Sequence, residues 1–558
     1  MNSIARYSTT LSIVAAAAGP ARGQLSNPVV AAKEARLFAT DGQTTDTLGA
    51  SIALSGDTVV SGAPSHDPPG QSNAGAAWVF VTSGVTWAQQ AKLLASDGLA
   101  SDDFGRAVAI DGDTIVVGAP LDDHPGIGNG GSAYVFVRSG TSWSQQAKLV
   151  GSGVSATDAF GTSVAIDGDT IVVGSPADEL GTTPTTGVAY VFTRSGTVWT
   201  EQGILAAADR SPGDRLGESV AIDGDTAAVG AQLGNGPMAD CGSAYVFLRT
   251  GTAWSEQGKL LAGNAQVSAW FGASIGVSGD SVIVGAPLQD GAAVDTGSAY
   301  VFVRSGTVWT QQSALVPVGL TVASNCGNAV ALEGDFALVG ALDQPFFGLT
   351  AAGSAYLFRR GGATWTLETR VVHDRVRGEF GTSVGLSGDI VVAGAPIDSI
   401  GLLSGQGCAY AFRLTNTPEI YCTAKTNSLG CTPSIGSSGV PSASSASPFL
   451  VTCTNVLNNK NGILFYGFTM DNNAFQGGWL CAAPPTIRTP LQNSAGNPPP
   501  DDCSGTFSID FNARIQSAVD ASLVVGADVY GQYWSRDPAL GTSSPTSLSN
   551  AIHFAIQP

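Results

Sequence analysis

The sequence predicts an all-β protein: a seven-bladed β-propeller closed by an N-terminal strand, followed by a small disulfide-pinned β-sandwich-like domain. Three observations carry that expectation. Seven segments repeat at successive spacings of 56, 56, 56, 55, 55 and 54 residues, a period in the range of propeller blades. Seventy-two glycines, 28 prolines and only 12% charged residues favour short strands and tight turns over helices. Five of the eight cysteines (Cys422, Cys431, Cys453, Cys481 and Cys503) crowd into the last quarter without C-x-x-C spacing, which suits disulfides in an oxidising compartment.

Residues 1–23 read as a secretory signal, with Arg6 before an apolar core from Leu11 to Ala18 and a small-residue exit near Ala21-Arg22-Gly23. No later stretch has the roughly eighteen uncharged apolar residues of a transmembrane helix. The expected location is therefore secreted or cell surface. A formal net charge of −19 without a basic run opposes the counterion release that drives nucleic-acid binding, so nucleic acid is not an expected partner.

Residues 33–413 form the repeat region. Its anchors are Leu48, Phe104, Phe160, Leu216, Phe271, Cys326 and Phe380, each followed by Gly. In the second copy four strands are expected, at Ala107–Ile110, Thr114–Gly118, Ser132–Arg138 and Trp143–Leu149, joined by two tight hairpins and one longer loop. The runs Thr114-Ile115-Val116-Val117 and Tyr134-Val135-Phe136-Val137 are apolar on both faces, as strands between neighbouring sheets should be. Six copies carry a fourth strand marked by Trp87, Trp143, Trp199, Trp254, Trp309 and Trp365, whereas the seventh stops after Tyr410-Ala411-Phe412. Glu34–Gly42 matches the missing strand, so the N-terminal segment is expected to complete the last blade and leave no open edge.

The Phe-Gly and Gly-Ala-Pro anchors resemble the FG-GAP repeats of the integrin α-subunit propeller and of related bacterial surface proteins. The resemblance implies the propeller and suggests adhesion or ligand binding, with an extracellular protein or a glycan as partner. Integrin blades also carry calcium loops, but the corresponding turns here are short. Asp111 with Asp113, Asp167 with Asp169, and Asp223 with Asp225 are the candidates. Calcium takes six to eight oxygens, roughly, and a two-carboxylate hairpin supplies too few, whereas Asp-Gly is itself a favoured hairpin turn. Turn chemistry is weighted above calcium, and no cofactor is assigned with certainty.

The loops on the opposite side are richer. His66, Asp67, Asp122, Asp123, His124, Asp178, Glu179, Asp290 and Asp295 lie there, with Phe346 and Phe347 in the sixth copy. Loops on a rigid scaffold commonly carry recognition, so this face is the expected ligand surface. For any single carboxylate there, a solubilising rim charge is the favoured account.

No catalytic residue is assigned. Gly272-Ala273-Ser274-Ile275-Gly276 and Gly381-Thr382-Ser383-Val384-Gly385 satisfy a hydrolase elbow pattern, yet both are the repeat consensus on a strand without a following helix. The four histidines are scattered, and no pair has zinc-helix spacing.

Residues 414–419 read as a linker, and residues 420–558 as a separate β module. Strand-like runs are Phe449–Thr452, Ile463–Phe468, Ser508–Phe511, Leu523–Val529 and Ile552–Ile556. Cys422 with Cys431 and Cys481 with Cys503 are plausible local disulfides, leaving Cys453 over; the sequence alone does not fix connectivity. The stretches YCTAKTNSLGCTP, NPPPDDCSGTF and QYWSRDP resemble a C-terminal module of exported bacterial repeat proteins, which implies no activity. Tyr530, Tyr533 and Trp534 suit either a sugar-stacking patch or, with more weight, the core. The resulting expectation is a non-enzymatic binding or adhesion protein. A surface scaffold without a specific ligand is the alternative, and a secreted hydrolase the third reading.

Overall fold

The computed structural model describes residues 30–556, apart from 85, 180–184, 346–351, 374–377, 416–417, 440, 446, 476–477, 525–526 and 541–545. The expected signal at 1–23 therefore lies outside the described residues. The chain is all-β, and its repeat region is a series of four-stranded antiparallel sheets, numbered here one to seven in order of the repeats.

Sheet two shows the unit: Ala107–Asp111, Thr114–Ala119, Ser132–Ser139 and Ser142–Leu149. Each expected strand is present to within about a residue. Its second strand is buried at every position, as a run apolar on both faces requires. The first two strands join through Gly112, whose φ of +53° suits a tight turn between adjacent strands.

The apolar side chains pack between sheets. Val60, Ala77 and Val79 of sheet one share a core with Ile115, Val117 and Tyr134 of sheet two. Sheet seven packs in both directions: Leu338 and Leu357 of sheet six meet Val391 and Tyr410, while Val59, Trp78 and Phe80 of sheet one meet Ile390, Val392 and Ala411. Sheet seven takes its outer strand from the N-terminal segment, Val30–Leu37 running antiparallel to Cys408–Thr415.

Two glycines of each repeat make the close approach of neighbouring sheets possible. A Cβ on Gly118 would lie 2.0 Å from the carbonyl oxygen of Gly161 in the next sheet. Gly161 itself sits at φ +95°, where a Cβ would meet the Ser132 carbonyl oxygen at 2.3 Å. The glycines of Gly-Ala-Pro and Phe-Gly are thus the two sides of one backbone contact.

After the repeats, Glu419–Tyr421, Thr546–Ala555, Asp528–Arg536, Asn461–Gly467 and Ile487–Arg488 form one sheet, with Gln492–Asn493 also pairing Asn461–Gly467. Ser434–Ser438, Leu450–Val456 and Gly505–Asp510 form another. The two share a core that includes Val451, Phe507, Tyr466, Tyr533 and Phe554. Of the expected strand at Leu523–Val529, the described residues are strand only from Asp528, and Phe511–Gln516 is a short helix capped by Asp510. Tyr533 stacks inside the core on Phe507, which removes it from any sugar-facing surface.

The disulfides differ from the local pairs. Cys422 joins Cys481 and Cys431 joins Cys503, across 59 and 72 residues. Strand pairing overrides proximity in sequence: Glu419–Tyr421 lies on the edge of the larger sheet, and the Tyr421 hydroxyl donates to the Cys481 carbonyl, fixing the Gly478–Ala482 strand beside it. Cys453 is free and buried, as are Cys241, Cys326 and Cys408.

Candidate functional site

The loops between second and third strands and those between sheets emerge at one end of every sheet, and the Gly-Asp turns emerge at the other. At the turn end, the side chain preceding each Gly-Asp accepts a hydrogen bond from the turn glycine of the following sheet. Ser55 accepts from Gly112, Asp111 from Gly168, Asp167 from Gly224, and Asp223 from Gly279. Ser278 then accepts from Gly334, Glu333 from Gly388, and Ser387 from Gly56, which returns the circuit to sheet one.

The aspartate after the glycine has a second task. Asp113, Asp169, Asp225, Asp280 and Asp335 each bind the arginine that ends the third strand of their own sheet, at 2.6–2.8 Å. Those arginines reach the previous sheet as well, Arg138 to Thr58 Oγ1 and Arg194 to Thr114 Oγ1 at 3.1 Å, and lie over tryptophans such as Trp143 and Trp199. The calcium candidates Asp111, Asp113, Asp167, Asp169, Asp223 and Asp225 are thus occupied in structural bonds. Among the described residues no three His, Cys, Asp or Glu side chains form a metal-holding group.

Ser274 and Ser383, of the two elbow-like matches, donate to the Gly327 and Gly49 carbonyls of the adjacent sheet at 2.8 and 2.7 Å. Ser51, Ser163 and Ser219 make the same bond in other repeats.

At the loop end, each of several sheets carries a polar cluster that the sequence reading did not assemble. In sheet two the Tyr134 hydroxyl donates to Asp97, while Lys148 Nζ lies 2.7 Å from both Asp97 and Asp122. Sheet four repeats this with Tyr245, Asp209 and Lys259, and sheet one with Trp78, Asp41 and Lys92. Desolvation pushes the Asp97 carboxyl up, but the bonds from Lys148 and Tyr134 outweigh it and hold it below the ordinary range. The recurrence of Asp, Tyr and Lys at fixed places in these repeats was the available signal.

Sheet three lacks that lysine: Ile204 and Gly153 stand where sheet two has Lys148 and Asp97. Burial there pushes the Asp178 carboxyl up to about 6, against a 2.7 Å bond from Tyr190 and helped by Asp158 and Glu179. Burial likewise raises Asp102 to about 6, opposed by the Leu99 N–H and reinforced by Asp122 and Asp123.

The candidate ligand residues separate into distinct environments. His66, Asp122 and Asp178 are buried rather than presented to solvent; they occupy one loop position in three successive repeats. His66 sits edge-on to Trp78 with Nδ1 3.0 Å from Asp46, and Asp122 also accepts from Ser132. Asp67, Asp123 and Asp290 close their own loops, accepting from the backbone N–H of Asn73, Asn129 and Asp295. His124 Nε2 pairs with the Gly131 carbonyl at 2.7 Å. Glu179 is exposed, Asp295 half-buried, and Phe346 and Phe347 lie outside the described residues.

Around the same end, the residue before each Phe/Leu-Gly anchor adopts a left-handed conformation. Thr47, Asp103, Ala159, Arg215, Trp270, Asn325 and Glu379 all have φ between 50° and 62°. A family model described as FG-GAP repeat matches residues 32–80, 87–136, 143–192, 199–247, 254–302 and 309–358. The chain belongs to the FG-GAP repeat family. Each FG-GAP match pairs the outer strand of one sheet with the first three strands of the next, and it holds both kinds of glycine, each of which meets its partner in a neighbouring repeat, as Gly118 meets Gly161. No curated protein matches the chain.

Proposed function

We propose that this FG-GAP chain is an extracellular or cell-surface binding protein. On this reading it is a closed seven-bladed propeller that captures a protein or glycan ligand on its loop end, followed by a β-sandwich module pinned by two disulfides. FG-GAP repeats occur in integrin-like adhesion and binding proteins, and disulfides favour an oxidising compartment. The return of the turn circuit to sheet one supports closure.

The observation that carries the binding reading is a contrast between the two ends. Phe38, Leu94, Leu99, Val267, Val294, Val318 and Leu402 are exposed at the loop end, whereas the turn end exposes Val198 and Val308 among its aspartate–arginine pairs. Apolar groups gathered on one rigid face mark an interaction surface. The serines of the elbow-like motifs are held by neighbouring carbonyls, which favours a non-enzymatic role.

The scaffold alternative draws on the loop carboxylates that are committed to their own backbone, as at Asp67 and Asp123. Binding of the full chain to an array of glycans and extracellular proteins, in calcium and in chelator, separates the two readings. Selective capture in both buffers is expected, and absence of capture in both gives the scaffold reading precedence.

A further inference from the structure

The loop end is not uniform. Over sheets four to six, Met238, Val267, Trp270, Val294, Val318 and Val322 are between 37% and 79% exposed. They sit on loops that are fastened to one another. Ser268 N donates to Ala239 O, Ala323 N to Val294 O and Asn325 N to Asp295 O, while Gln266 and Asp290 exchange two bonds. The apolar groups are therefore held in fixed relation instead of riding on independent loops.

The loops of this sector are acidic, and the two cations beside them are held: Lys259 bonds Asp209 and the Asn235 carbonyl, and Arg370 bonds Ser354 and the Pro345 carbonyl. Loops 232–242, 261–271, 287–297 and 316–326 carry Asp240, Asp290 and Asp295 and neither Lys nor Arg, and Asp343 adjoins them. Two of these aspartates have partial commitments: Asp290 caps the Asp295 N–H and Asp343 accepts from Asn325. The Asp240 and Asp295 carboxylates accept no hydrogen bond among the described residues. Over sheets one to three the segments at the loop end themselves contain Arg106, His124 and Arg210 among their acids.

Resting on the loop-end binding reading, we propose that the sector over sheets four to six docks a cationic, amphipathic polypeptide segment. Fixed aliphatic groups among acids complement alternating apolar and basic side chains, through burial of apolar area and Coulomb attraction. An anionic membrane would be repelled by the same carboxylates and by the net charge of −19. Among the described residues of the sector the exposed aromatic ring is Trp270, set among aliphatic side chains, whereas sugar recognition relies on aromatic faces flanked by polar groups.

The test uses the full chain and three labelled peptides, of alternating Lys and Leu, alternating Glu and Leu, and alternating Lys and Ser, followed by fluorescence anisotropy at low and physiological salt. The Lys–Leu peptide should bind at least about tenfold more tightly than either control, and more weakly as salt rises. The triple variant V267S/V294S/V322S should lose about tenfold in that affinity. D240N/D290N/D295N, in which the new amide oxygen at the middle position still accepts from the loop backbone, should flatten the salt dependence. V198S/V308S at the turn end should bind as the parent does. Equal binding of either control peptide, or sector variants that bind like the parent, overturns the proposal. If array capture persists in the sector variants but is lost on E179Q, the loop-end reading survives and this sector assignment falls. If neither set alters capture, both fall. Unchanged melting temperatures keep misfolding from imitating a loss of binding.

Discussion

At Ala159 the backbone holds φ +58° with only a methyl side chain to show for it. The left-handed conformation costs an L-residue roughly 1–2 kcal/mol, and glycine escapes most of that. Ala159→Gly is therefore expected to stabilise the protein by about 1 kcal/mol, read as a raised denaturation midpoint; a lowered midpoint would mean that the alanine methyl packs more than it strains. Asp178 carries a different local cost. Burial sets its carboxyl at about 6, above the unfolded value, so its favourable contribution is complete below about pH 4 and is lost as pH rises through about 6. The facing groups are Tyr190, Asp158 and Glu179, with Glu201 acting on Tyr190. Asp178→Asn keeps an acceptor for Tyr190 and removes the titration. It should raise stability at pH 7.5, by at most roughly 3 kcal/mol, and change it little at pH 4. An equal effect at both values would refute a buried titrating carboxyl. The sequence revealed Asp178 as an acidic loop residue but not that it is buried without the cation that Asp122 has, because that depends on a lysine missing from another strand.

The Gly-Asp turn shows how an element can be correctly read and still be incompletely understood. Its hairpin role was legible from residue type, since glycine accepts positive φ; its role between sheets was not, since Asp111 meets Gly168 only across 57 residues. Asp111→Ala should cost about 1 kcal/mol for the lost bond, and melting of the parent should be the same in calcium and in chelator. A calcium-dependent rise in the parent that disappears in the variant would restore the metal reading. The disulfides carry the same lesson. Cys422 and Cys431 are neighbours in sequence, yet their partners are chosen by which strands adjoin, and the bonds close loops of 59 and 72 residues. Such loops are worth about 4 kcal/mol each in the chain-entropy account.

At the scale of the whole molecule, sheet seven is the place where the polar fastening changes. From sheet one to sheet six, each junction has an arginine reaching a Thr or Ser of the sheet before, as Arg249 reaches Thr170 and Arg360 reaches Ser281. Each also has a tryptophan bonded to a glutamine, as Trp254 is to Gln202. Phe336 stands at the threonine position of sheet six, Ile390 at that of sheet seven, and Thr82 at the arginine position of sheet one. The two junctions of sheet seven therefore lack that arginine bond to Thr or Ser; Arg413 instead reaches the Gly84 carbonyl of sheet one, beside apolar packing and the N-terminal strand. Native-state hydrogen exchange should show the second- and third-strand amides of sheet seven opening before those of sheets two to five, and equal protection throughout would contradict this.

What the sequence determined by itself was the repeated unit, its strands and the N-terminal completion of the last sheet, because hydrophobic patterning and glycine punctuation act within a few residues and recur in phase. What only the tertiary structure decided was which polar groups remain for a partner. Asp122 and Asp67 look alike in one dimension, yet one is buried against a lysine and the other closes its own loop. The physical reason is that burial and partnership of a charge are set by neighbours about 25 to 57 residues away in the chain, brought within hydrogen-bond reach only when the sheets pack.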